Sequence, residues 1–219
     1  NSLRKNTASD NTAVGNISSA CTTSGASNTS IGGGALKINT TGDSNVAVGY
    51  LALDANTTAD DNTAIGTSAL TANTTGTENT ALGFKAMLFG TTGSSNTALG
   101  ACTLGGSDVN TGDSNVAIGR KSMFDNTSGA SNVGVGISSL ESNTTGSINA
   151  STGSFSLACN TTGNDNTANG GFAMKENTTG SNNVAMGRSA LRCNTTASGN
   201  TAVGKDSLKL NTTGASNTA

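Results

Sequence analysis

No histidine, proline or tryptophan occurs in the 219 residues, and aromatic residues make up only 3%. Without histidine there is no imidazole metal ligand and no Ser/His or Cys/His nucleophile pair. Charged residues are scarce at 11% and nearly balanced at a net −2, which leaves no basic footprint for nucleic acid or an acidic membrane surface. Apolar runs are a few residues long, too short to insert in a membrane as a helix. The carboxylates are scattered without an acid–base pair, and Gly32-Gly33-Gly34 lacks the Lys-Ser/Thr of a phosphate loop. A non-enzyme with no cofactor is expected. With only 33% hydrophobic residues, the composition resembles that of a disordered chain, which cannot offset the entropy of ordering.

Repetition reverses that expectation. Asn11-Thr12-Ala13-Val14-Gly15 recurs as Asn45-Val46-Ala47-Val48-Gly49, Asn62-Thr63-Ala64-Ile65-Gly66 and Asn200-Thr201-Ala202-Val203-Gly204. Repeats open at Asn11, Asn28, Asn45, Asn62, Asn79, Asn96, Asn115, Asn132, Asn149, Asn166, Asn183 and Asn200, each 17 residues on except for a step of 19 at Asn96–Asn115. Counting that Asn as position 1, the consensus is N-[TV]-A-[VIL]-G-x-x-[AS]-[LM]-x-x-N-T-T-G-x-x. The array reads as one domain over 1–219: a partial coil 1–10, twelve coils over 11–216 with a two-residue insertion near 105–108, and a partial coil 217–219.

A period of 17 is too short for a pair of helices, and the Gly at position 5 of every copy would cost about 1 kcal/mol in a helix. Short strands separated by Gly and Asn turns fit, and we expect two per repeat, around N-T-A-V and around A-L-x-x-N-T-T. The fold class is therefore all-β: a parallel β-solenoid, a β-roll or β-helix, of about twelve coils, with coils about 4.8 Å apart. Equivalent residues then form ladders. Asn11, Asn28, Asn45 and Asn62 begin an Asn ladder whose amides satisfy turn backbone, with a polar contact surface as the other reading. Val14, Ile31, Val48 and Ile65 at position 4, and Leu36, Leu53 and Leu70 at position 9, are the expected aliphatic core. Thr152 and Asn169 at position 4 should weaken that core locally. At roughly 1.5–3 kcal/mol per buried aliphatic side chain, one coil cannot order itself, so stability is expected from many coils and from assembly of the chain with itself as a trimer or filament.

The half-unit [NS]-[TV]-A-[VI]-G-x-x-[AS] resembles the head repeats of trimeric autotransporter adhesins, and the full unit is similar to repeats in phage tail-fibre-like and bacterial surface fibre proteins. The resemblance implies a fibrous, trimeric stalk segment that is extracellular, on a cell surface or on a virion. A surface glycan or protein receptor would meet variable exposed residues such as Tyr50, Phe84, Phe124, Ile137, Phe155 and Phe172, which equally suit contact between chains.

Four features stay open at this level. Thr40, Thr57, Thr74, Thr91, Thr144, Thr161, Thr178, Thr195 and Thr212 form a Thr column resembling the ice-binding face of antifreeze β-solenoids, or else a row of β-formers bonded within turns. The same triplets are N-x-T/S sequons at Asn39, Asn56, Asn73, Asn126, Asn143, Asn160, Asn177, Asn194 and Asn211, relevant to glycosylation only in a eukaryotic secreted protein. Cys159 and Cys193 lie two coils apart, about 9.6 Å, beyond disulfide reach. They, Cys21 and Cys102 are either free thiols or interchain bridges. Asp43, Asp60, Asp61, Glu78, Asp113 and Asp165 gather by one turn, as a solvated edge or as ligands for calcium.

Overall fold

The computed structural model describes residues 7–106 and 109–219. It is all-β and solenoidal, with one three-residue strand per coil, and within each of two units neighbouring strands pair parallel. Two compact units part between Thr111 and Gly112. The first carries β1 (Thr12–Val14), β2 (Thr29–Ile31), β3 (Val46–Val48), β4 (Thr63–Ile65), β5 (Thr80–Leu82) and β6 (Thr97–Leu99). The second carries β7 (Val116–Ile118), β8 (Val133–Val135), β9 (Ala150–Thr152), β10 (Thr167–Asn169), β11 (Val184–Met186) and β12 (Thr201–Val203). Register follows the repeat: Thr12 pairs with Thr29 in the first unit and Val116 with Val133 in the second. Of the expected insertion loop, Ser107 and Asp108 lie outside the described residues, while Gly105 and Gly106 are buried.

The second strand expected in each coil is absent among the described residues, because A-L-x-x-N is a run of turns. Positions 7, 9 and 17 take left-handed backbone, for example Leu51 (φ 54°), Leu53 (φ 53°) and Asp61 (φ 58°). A left-handed Leu costs roughly 1–2 kcal/mol, but Leu53 is completely buried, which returns about 1.5–3 kcal/mol. Backbone donors on these turns reach the next coil instead, as in Leu36 N–H to Ala52 O at 2.9 Å and Thr40 N–H to Thr57 O at 2.8 Å. A proline would delete one such bond, consistent with there being none in the chain.

The coils between the two ends bury position 3 (Ala47, Ala64, Ala81), position 8 (Ala52, Ala69, Ala86) and position 9 (Leu53, Leu70, Met87), these nine at 1% exposure or less. Where position 8 is Ser, it finds a partner across the core. Ser18 Oγ donates to Ser30 Oγ at 2.7 Å, and Ser139 Oγ to Ser151 Oγ at 2.8 Å. Position 4 is the main correction. Val14 is 57% exposed, Ile31 40% and Ile65 38%, with Val48 half-buried, so this aliphatic column faces out. Alternation explains it: with position 3 inward, positions 2 and 4 must point away from the core. Thr152 and Asn169 therefore weaken nothing inside, since Ser151 and Ala168 fill the inward position of those strands.

Candidate functional site: the outward face of the strands and its flanks

The interior leaves little for function to use. Asn45 donates from Nδ2 to Ala59 O (2.8 Å) and to Asn28 Oδ1 (3.1 Å), while its own Oδ1 accepts the Asn62 backbone N–H at 3.0 Å. A second buried Asn column stands at position 12. Asn56 Nδ2 donates to Ala59 O (3.0 Å) and to Asn39 Oδ1 (2.9 Å). Both columns converge on one carbonyl per coil, shown again at Gly146 O by Asn132 and Asn143. Asn11 and Asn28 belong to the same ladder through Asn28 N–H to Asn11 Oδ1 at 2.9 Å.

This arrangement decides the sequons. Asn39, Asn56, Asn73, Asn143, Asn160, Asn177 and Asn194 are wholly buried and Asn126 is 3% exposed. A glycan must replace an Nδ2 hydrogen, and these hydrogens are committed to coil-to-coil bonds, as in Asn160 Nδ2 to Asn143 Oδ1 at 2.8 Å. The folded coils have no room for glycans in a row; only Asn211 is half-exposed.

The Thr column proposed for ice is also structurally committed. Thr40 Oγ1 donates to Thr57 O (2.9 Å), Thr57 to Thr74 O, Thr74 to Thr91 O, Thr144 to Thr161 O, Thr161 to Thr178 O, Thr178 to Thr195 O and Thr195 to Thr212 O. Those hydroxyl protons are therefore not available to an external surface. Position 14, such as Thr58 and Thr75, is exposed instead.

The acidic edge is built into the backbone as well. Asp60 Oδ1 accepts the Asp43 backbone N–H and Asp43 Oδ1 that of Ala26, both at 2.7 Å. Ser94 and Asn164 do the same for Thr77 and Ser147, so position 16 selects a side-chain acceptor rather than a charge. Among the described residues no three His, Cys, Asp or Glu are placed to hold a metal ion. The four Cys are free and half-buried.

The aromatics lie on the turn wall. Phe155 and Phe172 stack at 5.5 Å with planes 8° apart, and Lys175 and Arg192 each stand 5.9 Å from the Phe172 ring. On this wall Asp54 is held above the usual carboxylate range by burial, which outweighs Lys37 at 3.9 Å. Asp206 is held below it by the Lys209 hydrogen bond at 3.1 Å. Gly33-Gly34 leaves a depression of about 190 Å³ lined by Asn16, Ile17, Tyr50 and Leu51. That is smaller than the roughly 300 Å³ of ordinary ligand pockets.

What remains open to a partner is the strand face. Ile65, Leu82 and Leu99 of the first unit are 38–42% exposed, and Met186 and Val203 of the second 46% and 60%. Thr and Val at position 2 stand beside them, and no described strand carries a charged residue. The sequence signal for this face was the small residue at position 3 (Ala, or Ser30, Gly134 and Ser151), which marks the inward residue; reading position 4 as core missed it. No helix among the described residues is long and apolar enough to cross a membrane. No protein-family model, curated protein or solved structure matches the chain.

Proposed function

We propose that the chain is a non-enzymatic structural segment of a fibre or stalk, extracellular, on a cell surface or on a virion, that assembles with copies of itself. The observation that carries this reading is interchangeability. Within each unit the same backbone rungs and the same Asn bonds recur every 17 residues, as at Asn28–Asn45 and Asn183–Asn200. A spacer needs stiffness from ladders and no singular residue. Any glycan or protein receptor would meet exposed turn-wall side chains such as Tyr50, Phe84 and Ile137. Removing one whole coil, Asn45–Asp61, tests this. A stalk keeps its fold and its assembly, shortened by one rung, and electron microscopy of native material shows filaments. Loss of folding on coil removal, or native material without filaments, would count against it.

One observation favours a second reading, binding to ice. The strand face is regular, uncharged and solvent-facing, with Thr29, Thr63, Thr80 and Thr97 beside the aliphatic column. On this reading Thr80→Tyr abolishes thermal hysteresis and Thr74→Tyr does not. Absence of hysteresis in the parent protein rejects it.

A further inference from the structure

The near-neutral total charge hides a local concentration of cations. Five of the chain's eleven Lys and Arg, but only two of its thirteen carboxylates, fall in the three coils over 166–216. The remainder of the chain is therefore acidic. All five stand on the turn wall of the second unit. Lys175, Arg192 and Lys209 form a row at position 10 of successive coils, and Arg188 and Lys205 a second row at position 6. Rows of like charge about 4.8 Å apart oppose folding. Earlier coils of the same wall pair opposite charges instead, Lys37 with Asp54 at 3.9 Å and Lys121 with Glu141 at 3.5 Å. The two carboxylates of the basic coils do not neutralise them. Glu176 lies 3.9 Å from Arg192, and Asp206 lies 3.1 Å from Lys209 and 3.9 Å from Lys205. Among the described residues Arg188 and Lys175 enter no ion pair. The Lys209 hydrogen bond, joined by the charges of Lys205 and Arg188, holds Asp206 below its usual range, so these cations share one neighbourhood. Lys175 and Arg192 flank the half-buried Phe172 ring, each at 5.9 Å.

We propose that this turn wall binds an acidic polysaccharide, its chain lying along the solenoid axis and its carboxylate or sulfate groups on the two cation rows. The inference rests on the fibre reading only in taking the turn wall as the contact surface. A stack of like charges that costs stability, where the same wall elsewhere pairs opposite ones, points to a ligand of opposite sign. Three chemistries meet there. Arg188 presents a planar fork to a carboxylate or sulfate, and the Lys side chains supply point charges. Glu176 and Asp206 accept hydrogen bonds from sugar hydroxyls. Phe172 offers apolar surface to the C–H side of a sugar ring. The coil spacing of about 4.8 Å is close to the length of one sugar residue, so successive coils meet successive sugars. A nucleic acid carries a phosphate at every unit, which Glu176 and Asp206 would repel. An acidic membrane calls for a broad face with apolar side chains to insert, whereas these rows span two coil steps, about 9.6 Å.

Titration of fluorescein-labelled heparin and polygalacturonate with the full chain, read by fluorescence anisotropy, tests the proposal. Both polysaccharides bind and neutral dextran does not. Binding falls steeply between about 50 mM and 200 mM salt. R188A/K205A weakens it about tenfold or more, and K175A/K209A, in the other row, does the same. Lys85→Ala, a cation on the turn wall of the first unit, leaves it unchanged. Circular dichroism verifies that each variant folds, as expected where Arg188 and Lys205 are exposed. No binding of either polysaccharide, an equal loss from Lys85→Ala, or row variants that bind like the parent would each overturn the site. Single-stranded DNA or phosphatidylserine vesicles bound as tightly as the polysaccharides would overturn the ligand. Filaments that ignore both polysaccharides keep the fibre reading and lose this inference; binding by a chain that forms no filaments does the reverse.

Discussion

At the scale of single residues, the buried amides are what make so polar a chain foldable. An Asn in an apolar interior is costly unless its donors and acceptor are used, and here they are used by the neighbouring coils. Asn62→Ala would leave the Asn79 backbone N–H without its 3.0 Å acceptor, and is expected to cost about 2–4 kcal/mol in urea unfolding. Ile65→Ala, three residues away but outward-facing, should cost less than about 1 kcal/mol. One gap in the second Asn column, at position 12, is informative. Asn73 Oδ1 is buried without a hydrogen-bond partner because the next coil carries Gly90 at position 12. Gly90→Asn supplies the missing donor. Its Cβ would lie 3.3 Å from Met87 Cε, the movable end of a flexible side chain, so a gain of about 1 kcal/mol in unfolding free energy is expected. Asp54 makes a pH prediction. Burial raises its folded pKa, so the native state holds the proton more tightly than the unfolded chain. Its stabilising contribution is present in acid, below the ordinary carboxylate value, and is lost as pH rises through the raised one. Asp54→Asn should therefore be at least as stable as the parent at neutral pH, with the difference shrinking on acidification across that window.

At the scale of the coil, position 5 is where the backbone tolerates no side chain. Gly66 has φ +135°, and a Cβ there would lie 2.5 Å from the Gly83 carbonyl oxygen one coil on. Gly204, with φ +119°, has nothing within 4 Å of the same point. The pair separates backbone strain from collision. Gly204→Ala should cost the strain alone, roughly 1–3 kcal/mol, and Gly66→Ala measurably more, read from denaturation midpoints. Leu53→Ala tests the other half of the coil. That left-handed turn is held by burial of its Leu, so a loss of about 2–5 kcal/mol is expected.

At the scale of the molecule, the division between Thr111 and Gly112 follows an interruption readable in the repeat. Position 12 is Asn in the second, third and fourth coils and again from Asn126 to Asn211, but Gly90 and Val109 break the column. Each unit holds its own run of Asn ladder and its own Leu/Met column. Solenoids unfold by nearest-neighbour rules, so calorimetry should resolve two transitions rather than one.

The sequence by itself determined the period, the all-β class, the parallel register and the buried Leu/Met column. Each of those is set by local chemistry repeated in place: Gly that alone accepts a backbone angle, Ala or Ser small enough to fit inward, Leu that must leave water. Direction was not legible. N-T-A-V and A-L-x-x-N both look like strands, and nothing in the order Ala13-Val14 says which of two neighbours points inward. Only the closed coil decides that, because the space between its walls admits Ala at position 3 facing Leu at position 9 and turns the larger aliphatic outward. The sequons and the Thr column were misleading for the same reason. N-T-T is written identically whether its Asn meets solvent or a carbonyl 14 residues from another Asn, and stacking alone sets which groups are already bonded.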